Sequence, residues 1–173
     1  MSTQLAPARP AAVPTPDDPR LGAWRAFLHA HARLLRRLDE DLQAEHGLSL
    51  AEYDALLQLA NASGRRLRMS VLAERVLLSR SGITRLVDRL EASGMVARTA
   101  CVTDARGAEA SLTAVGLDRL RDASRTHLAG VERYFLAPVA DDDRAAVERA
   151  ANGILDGLGR GALTDASCTV EGA

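Results

Sequence analysis

Residues 79–94 read SRSGITRLVDRLEASG, and this segment has the pattern of an amphipathic helix. Apolar side chains recur at the i, i+3, i+4 and i+7 spacing of a single buried face, namely Ile83, Leu86, Val87 and Leu90. Ser79 is a residue type that caps helix N-termini. The opposite face is polar and basic and carries Arg80, Ser81, Thr84, Arg85, Asp88 and Arg89. We predict a helix with one face in a core and the other face open.

The neighbouring segments predict a helix-turn-helix followed by a hairpin. We expect Ser70 to cap a short helix, VLAERVLL, that buries Leu72 and Val76. Two short helices joined by a few residues form a helix-turn-helix. Beyond Gly94, the segments MVARTA and AEASL alternate in the manner of strands and flank the loop CVTDARG. A hairpin directly after a helix-turn-helix defines a winged helix.

A long amphipathic helix is predicted before this unit. It runs from Leu21 to about His46 and carries an apolar face of Trp24, Leu28, Leu35, Leu38 and Leu42. Gly47 ends it, and Ser49 with Glu52 forms a capping box that opens the next helix.

Two more helices are predicted after the hairpin. We expect Thr113 to cap the first, which carries Leu117, Leu120, Leu128, Val131 and Phe135. Asp141 opens the last, whose apolar face holds Val147, Ile154, Leu155 and Leu158. The flanking helices carry more apolar surface than one small winged helix can cover, so they need a partner. The predicted fold class is mostly α with a small β-hairpin.

Length and composition limit the organisation of the chain. With 173 residues and 47% apolar content, the chain can bury one proper core. Five of the six prolines fall in residues 1–19, which predicts a disordered arm, and residues 159–173 read as a flexible tail. A single domain over residues 20–158 remains. Neither a membrane span nor a secretory signal is evident, so we expect a cytoplasmic protein.

The sequence offers little to an enzyme or a metal site. It has no Gly-rich phosphate loop, no nucleophile elbow and no cluster of metal ligands, so we predict no catalytic residues, no metal and no cofactor. Cys101 and Cys168 are far apart and lack the spacing of metal ligands, and we expect both to be reduced.

The charge of the chain is unevenly distributed. The formal net charge is −1, yet the segment from Arg65 to Arg106 carries nine arginines against four acids. The exposed face of the 79–94 helix is therefore either an ordinary solvated face or a surface that reads DNA. In a major groove, Arg can make a bidentate contact to guanine, and Ser or Thr can reach base edges or phosphate. The helix-turn-helix context and the local basic charge favour DNA.

Three segments resemble successive signatures of MarR-type transcriptional regulators: LSLAEYDALLQLA, LAERVLLSRSGITRLVDRLEASGMVAR and DARGAEASLTAVG. The resemblance covers about residues 21–158. It implies a homodimer in which the dimerisation helices, residues 20–46 and 114–158, interlock with those of the partner. It also implies that the winged-helix lobe, residues 47–113, presents its recognition helix to double-stranded DNA. The two lobes would then bind successive major grooves of a pseudo-palindromic operator.

The candidate DNA contacts divide between the helix and the wing. The first turns of the recognition helix lie nearest the duplex and supply Ser79, Arg80, Ser81, Thr84 and Arg85. Arg89 lies farther along beside Asp88, so we assign it a structural or ligand-coupling role. The resemblance implies that Arg106 enters the minor groove and that Asp104 orients it, the alternative being an exposed charge pair in a turn. Arg98 is either a phosphate neighbour or a surface charge on the first wing strand.

The resemblance also bears on control. Members of the family are commonly repressors released from DNA by small aromatic or phenolic anions, or regulators that respond to thiol oxidation. A branch that responds to urate-like purines places a Trp, an Asp and an Arg around one pocket, and Trp24, Asp54 and Arg89 (or Arg85) are similar in position. Packing for Trp24 and a surface ion pair for Asp54 are the simpler alternatives. A redox regulator using Cys101 and a protein-binding winged helix stay open as other functions.

Overall fold

The computed structural model describes residues 13–100 and 108–159 of the chain. Its helices are α1 (Leu21–His46), α2 (Leu50–Ala60), α3 (Met69–Arg75), α4 (Arg80–Ala92), α5 (Ala114–Val131) and α6 (Asp141–Gly157). Its strands are β1 (Arg66–Arg68), β2 (Val96–Ala100) and β3 (Ala108–Leu112). A short 3-10 turn covers Ser63–Arg65, and a π-helical segment, Glu132–Leu136, continues α5. The predicted fold class, a mostly helical winged helix between flanking helices, is confirmed.

The wing has one strand more than the predicted hairpin. Strands β2 and β3 pair in antiparallel fashion from Val96↔Leu112 to Ala100↔Ala108, as expected. Strand β1 adds to the other edge of β3, with Arg66 opposite Ser111 and Arg68 opposite Glu109, so the strand order is β1-β3-β2. The central strand β3 is therefore paired on both edges, with β2, which follows α4, and with β1, which precedes α3.

The predicted start of α3 was wrong. Ser70 does not cap the helix, because α3 already begins at Met69 and Arg68 takes the N-cap position without a side-chain hydrogen bond. The cause is the extra strand. Because β1 leads directly into α3, its pairing with β3 places the chain at the helix start and leaves no loop in which Ser70 could act as a cap.

Three other predicted helix starts are confirmed by side-chain hydrogen bonds, and α6 begins at Asp141 as predicted. The Ser49 hydroxyl accepts a bond from the Glu52 amide, and the Glu52 carboxylate accepts one from the Ser49 amide, which completes the capping box. Ser79 caps α4 and Thr113 caps α5, each through a bond from the amide three residues later. Gly47 ends α1 in a left-handed conformation that favours glycine.

The core lies in the winged-helix lobe and extends onto the flanking helices. All four predicted apolar positions of α4 are buried: Ile83, Leu86, Val87 and Leu90. They pack with the apolar face of α2, with Leu72 of α3 and with Val96 of β2. Leu42 of α1 and Leu120 of α5 belong to the same cluster, so both long helices are anchored on the lobe.

Gly116 permits a close contact where α5 leaves the lobe. A Cβ atom at this position would overlap the Met95 carbonyl oxygen at 2.1 Å, so any larger residue would force the backbone of α5 or of Met95 to shift. The Thr113 hydroxyl donates to the carbonyl oxygens of Gly94 and Met95 in the same place. The long helix is therefore joined rigidly to the turn that follows α4.

The outer parts of the flanking helices remain uncovered. Within the described part of the chain no residue of α6 is buried, although its apolar face has the predicted composition. Large apolar side chains are exposed between residues 24 and 35 of α1 and along α6 as far as its C-cap residue: Trp24, Phe27, Leu28, Leu35, Val147, Ile154, Leu155 and Leu158. Among the described residues, these two amphipathic faces are thus left largely uncovered.

Candidate nucleic-acid interface

The exposed face of α4 brings the predicted helix contacts together. Ser79, Arg80, Ser81, Thr84 and Arg85 are all exposed, while the opposite face of the same helix is in the core. In residues 13–100 and 108–159 neither Arg80 nor Arg85 has an ion-pair partner. Two guanidinium groups at the start of the helix are therefore free to donate to bases or phosphates.

The hydroxyl groups of this face are partly engaged within the protein. Ser79 uses its oxygen to cap α4 and lies 3.2 Å from the Ser81 hydroxyl. Thr84 donates its hydroxyl proton to the Arg80 carbonyl oxygen at 2.8 Å. Thr84 therefore has its methyl group and its remaining acceptor capacity to offer, which suits an apolar contact to thymine better than hydrogen-bond donation.

Arg98 points back onto the recognition helix. Its guanidinium lies 2.6 Å from an Asp88 carboxylate oxygen and 3.7 Å from a Glu91 oxygen, and its side chain is only 26% exposed. The Arg98 amide also donates to Glu91. This geometry assigns the Arg98 side chain to ion pairs that hold the wing against α4, and its proximity to phosphate stays a prediction.

The predicted wing contacts fall outside the described residues. Asp104 and Arg106 belong to residues 101–107, as does Cys101. The strands that flank this segment pair as far as Ala100 and Ala108, so the polypeptide on both sides of it is held in the sheet.

Arg89 is tied to the start of α2. Its Nε atom donates to a Glu52 oxygen at 2.7 Å, and its Nη1 atom lies 3.3 Å from the Arg85 carbonyl oxygen. Burial of Glu52 would raise the pKa of its carboxyl, but hydrogen bonds from Ser49 and Arg89 outweigh that effect and lower the pKa. The structural role assigned to Arg89 therefore has a partner, which sequence patterns did not identify.

Trp24 does not meet Asp54 and Arg89 within one chain. Trp24 is 54% exposed and stacks on Phe27. Helix α1 contacts the start of α2 through Asp39, whose carboxylate accepts from the Leu50 amide at 2.7 Å. Trp24 precedes Asp39 by fifteen residues, which is about 22 Å along a helix. A pocket that includes Trp24, Asp54 and Arg89 would therefore need Trp24 from a second chain.

Asp54 itself is half-buried on α2. Burial raises the pKa of its carboxyl, while a hydrogen bond from Gln58 opposes the rise. Glu52, not Asp54, is the carboxylate that Arg89 contacts. Asp54 thus sits in surroundings that disfavour its charge, and within the described residues no ion pair offsets them.

The described ranges were also considered for a metal site and for a membrane-spanning helix. Neither range holds a group of three or more His, Cys, Asp or Glu side chains that could bind a metal ion. No described helix is long and apolar enough to cross a membrane. A cleft of about 240 Å³ lies between α1, which contributes Asp41 and Glu45, and α5 with its π-helical continuation, which contribute Arg125, Thr126 and Arg133.

A helix-turn-helix with a basic exposed second helix and a three-stranded wing defines a winged-helix DNA-binding protein. The chain belongs to the MarR family of transcriptional regulators, whose family model matches residues 46–107. That family consists of DNA-binding regulators, not enzymes.

Two solved structures from Streptomyces coelicolor support the assignment over most of the chain. The MarR family regulator Sco3205, solved in complex with DNA, is 30% identical with a TM-score of 0.77, and the match covers 85% of this chain and 94% of that one. The MarR family regulator AbsC is 33% identical with a TM-score of 0.75, covering 84% of this chain and 97% of that one.

A curated relative gives the same result over a shorter length. The HTH-type transcriptional regulator PrsX of Escherichia coli is 32% identical over 111 residues, which is 62% of this chain. The match spans 66% of PrsX, slightly less than two thirds of its length.

Proposed function

We propose that the protein is a homodimeric regulator that binds a pseudo-palindromic operator with the first turns of α4. The observation that carries this proposal is the pair of exposed guanidinium groups, Arg80 and Arg85, opposite a fully buried helix face. In this proposal Arg80 and Arg85 donate to base edges or phosphates, while Ser79, Ser81 and Thr84 add shorter-range contacts. Arg98 holds the wing in place.

The homodimer is supported by the uncovered apolar faces. The exposed side chains of α1 and α6 lie on long helices at the two ends of the chain, so two copies can cover each other's surfaces around a two-fold axis. Two recognition helices in such a dimer would lie about one DNA turn, roughly 34 Å, apart. The operator would then be two-fold symmetric like the protein.

The wing supplies the second contact in the proposal. By resemblance to the family, Arg106 enters the minor groove, and Asp104 orients it. We expect Arg106→Ala to weaken operator binding strongly without unfolding the protein. Unchanged affinity at moderate salt would refute the role of the wing.

The proposed control is release of a repressor by a small aromatic or anionic ligand. Trp24 and Phe27 present a stacked aromatic surface on α1, and a partner chain could bring such a surface to Asp54 and Arg89. Aromatic acids and purines should be titrated against the DNA complex of the wild type and of Trp24→Leu. Release of the wild type but not of the variant supports the pocket, and no release by any compound argues against this mode of control.

The main experiment measures DNA binding against salt. The wild-type protein selects duplexes from a random library, and affinity for the selected operator is followed by fluorescence anisotropy. Log affinity should fall linearly with log salt, with a slope of several units for a dimer. A protein-binding winged helix would select no sequence and show no such slope on random DNA.

The dimer is tested by one substitution on α6. Ile154→Asp places a charge in the uncovered apolar face, and light scattering should then report monomers with weak operator binding. Glu148→Asp, on the same helix but exposed and already charged, is the matched control and should stay dimeric. Operator binding by monomeric Ile154→Asp at wild-type strength would contradict the proposal.

A further inference from the structure

Glu52 makes two different connections with one carboxylate. Its Oε2 atom accepts from the Ser49 amide at 2.9 Å and from the Ser49 hydroxyl at 3.0 Å, which closes the capping box of α2. Its Oε1 atom accepts from Arg89 Nε at 2.7 Å. Glu52 is only 8% exposed, so a largely buried group holds α4 against the start of α2.

The same end of α2 is fastened to α1. The Asp39 carboxylate accepts from the Leu50 amide at 2.7 Å, and Asp39 directly follows the buried Leu38 and precedes the buried Leu42 by about one turn of α1. Contacts therefore lead from α1 to the start of α2, and from there through Glu52 to Arg89 on α4. They connect the recognition helix to the helix whose other half carries the uncovered apolar face.

We propose that Glu52 is a positioning residue that sets the distance between the two recognition helices and thereby the half-site spacing that the protein accepts. This inference rests on the proposed homodimeric DNA-binding function. A shift of α4 relative to α1 occurs in both subunits of a two-fold dimer, so it changes the separation of the recognition helices twice. Because base pairs are about 3.4 Å apart, small shifts change which spacing fits.

Only a carboxylate can make both connections. Both oxygens of Glu52 act as acceptors, whereas glutamine has one acceptor oxygen and one donor NH2 group. In Glu52→Gln, that NH2 group would face either the Ser49 amide or the Arg89 Nε–H, so one connection is lost at nearly constant volume. Arg89→Met removes the contact to α4 from the other side and leaves the capping box intact.

The test compares operators that differ only in spacing. The wild-type protein selects an operator from random duplexes, and derivatives are made with one or two base pairs inserted or removed between the half-sites. The affinity ratio between the selected and the altered spacing is measured for wild type, Glu52→Gln, Arg89→Met and the double variant. Direct contacts of either side chain to DNA and a reduced folded fraction affect all spacings equally, so the ratio reports positioning alone.

We expect each single substitution to reduce the spacing ratio by about fivefold, the lower end of ordinary coupling between sites. The double variant should show no further reduction, because both substitutions break the same contact. Glu40→Gln is the matched control, because it makes the same change at an exposed position of α1, where the described residues that pair with Glu40 are Arg36 and Arg37 of its own helix. It should keep the wild-type ratio.

Two results would overturn the inference. A wild-type spacing ratio in Glu52→Gln and Arg89→Met would show that the contact does not set spacing. A change in Glu52→Gln alone would assign the effect to the capping box of α2. Both results still leave a protein that selects an operator, whereas a wild type that selects no paired half-sites refutes the proposed function itself.

Discussion

Arg98 and Asp88 form an ion pair of 2.6 Å between the first wing strand and the recognition helix. The turn at Gly94 separates the two residues in sequence, so their ion pair links α4 directly to β2. In the proposed DNA complex, the helix that would enter the major groove and the first wing strand are thus fixed to one another by a side chain that faces the protein.

Arg98→Met should therefore weaken operator binding without changing its salt dependence. A positioning role predicts an affinity loss of about tenfold, because two such partly exposed ion pairs, one per subunit, each contribute about 0.5–1 kcal/mol. Loss of a phosphate contact from each subunit would instead reduce the salt slope by about two units. Binding isotherms at several salt concentrations distinguish the two, and Arg121→Met on exposed α5 is the control.

Arg85→Ala should weaken operator binding and leave stability unchanged. A bidentate contact from Arg to guanine contributes about 1–3 kcal/mol per half-site, and the variant should also tolerate more bases at that position. Because the Arg85 side chain is exposed, its loss should change the free energy of unfolding by less than about 0.5 kcal/mol. Competition with operators substituted in one half-site measures the first effect, and urea unfolding measures the second. Full affinity and specificity in Arg85→Ala would exclude it from the interface.

Gly116→Ala should destabilise the protein by about 2 kcal/mol or more, because the added Cβ would overlap the Met95 carbonyl oxygen. Gly153→Ala is the control, since that position lies within α6 with open space around it. The control should stabilise its helix by about 0.5–1 kcal/mol. Urea unfolding of both variants gives the comparison, and equal effects would argue against the close contact at Gly116.

Stability should fall as the pH drops below about 6.5, in part because of His127. This ring stacks on Tyr53 at 4.5 Å between centroids, and burial lowers its pKa from 6.5. The unfolded chain then binds the proton more readily than the folded one, so the stabilisation is present above pH 6.5 and is lost as the pH falls toward the folded pKa. His127→Gln should flatten the slope of Tm between pH 5 and pH 7, and thermal unfolding at several pH values measures that slope.

The helices were predictable because their signals are local. The capping box of Ser49 and Glu52 and the caps at Ser79 and Thr113 each depend on residues three positions apart, and the structure has all of them. Strand β1 was missed because it has three residues, RLR, and is defined by backbone pairing to β3 more than forty residues later. Its absence from the prediction also misplaced the start of α3.

The sequence predicted which face of α4 is exposed, but it did not predict the ion-pair partners of the arginines. The alternation of buried and exposed positions along α4 separates Ile83 and Leu86 from Arg80 and Arg85 in the sequence alone. The partners of Arg89 and Arg98 could not be read from that pattern, because they depend on how α2 and β2 pack beside α4. For the same reason the position of Trp24 relative to Asp54 required the fold.

Helix α6 has no buried residue in the described part of its own chain, whereas most helical stability in proteins comes from packing of an amphipathic face. In the proposed homodimer its order would come from association, so thermal stability becomes a function of protein concentration. The melting midpoint should then rise as the protein concentration is increased. The number of copies in the cell would set the fraction of chains that are dimeric. The expression level would therefore change the amount of DNA-binding dimer more than proportionally.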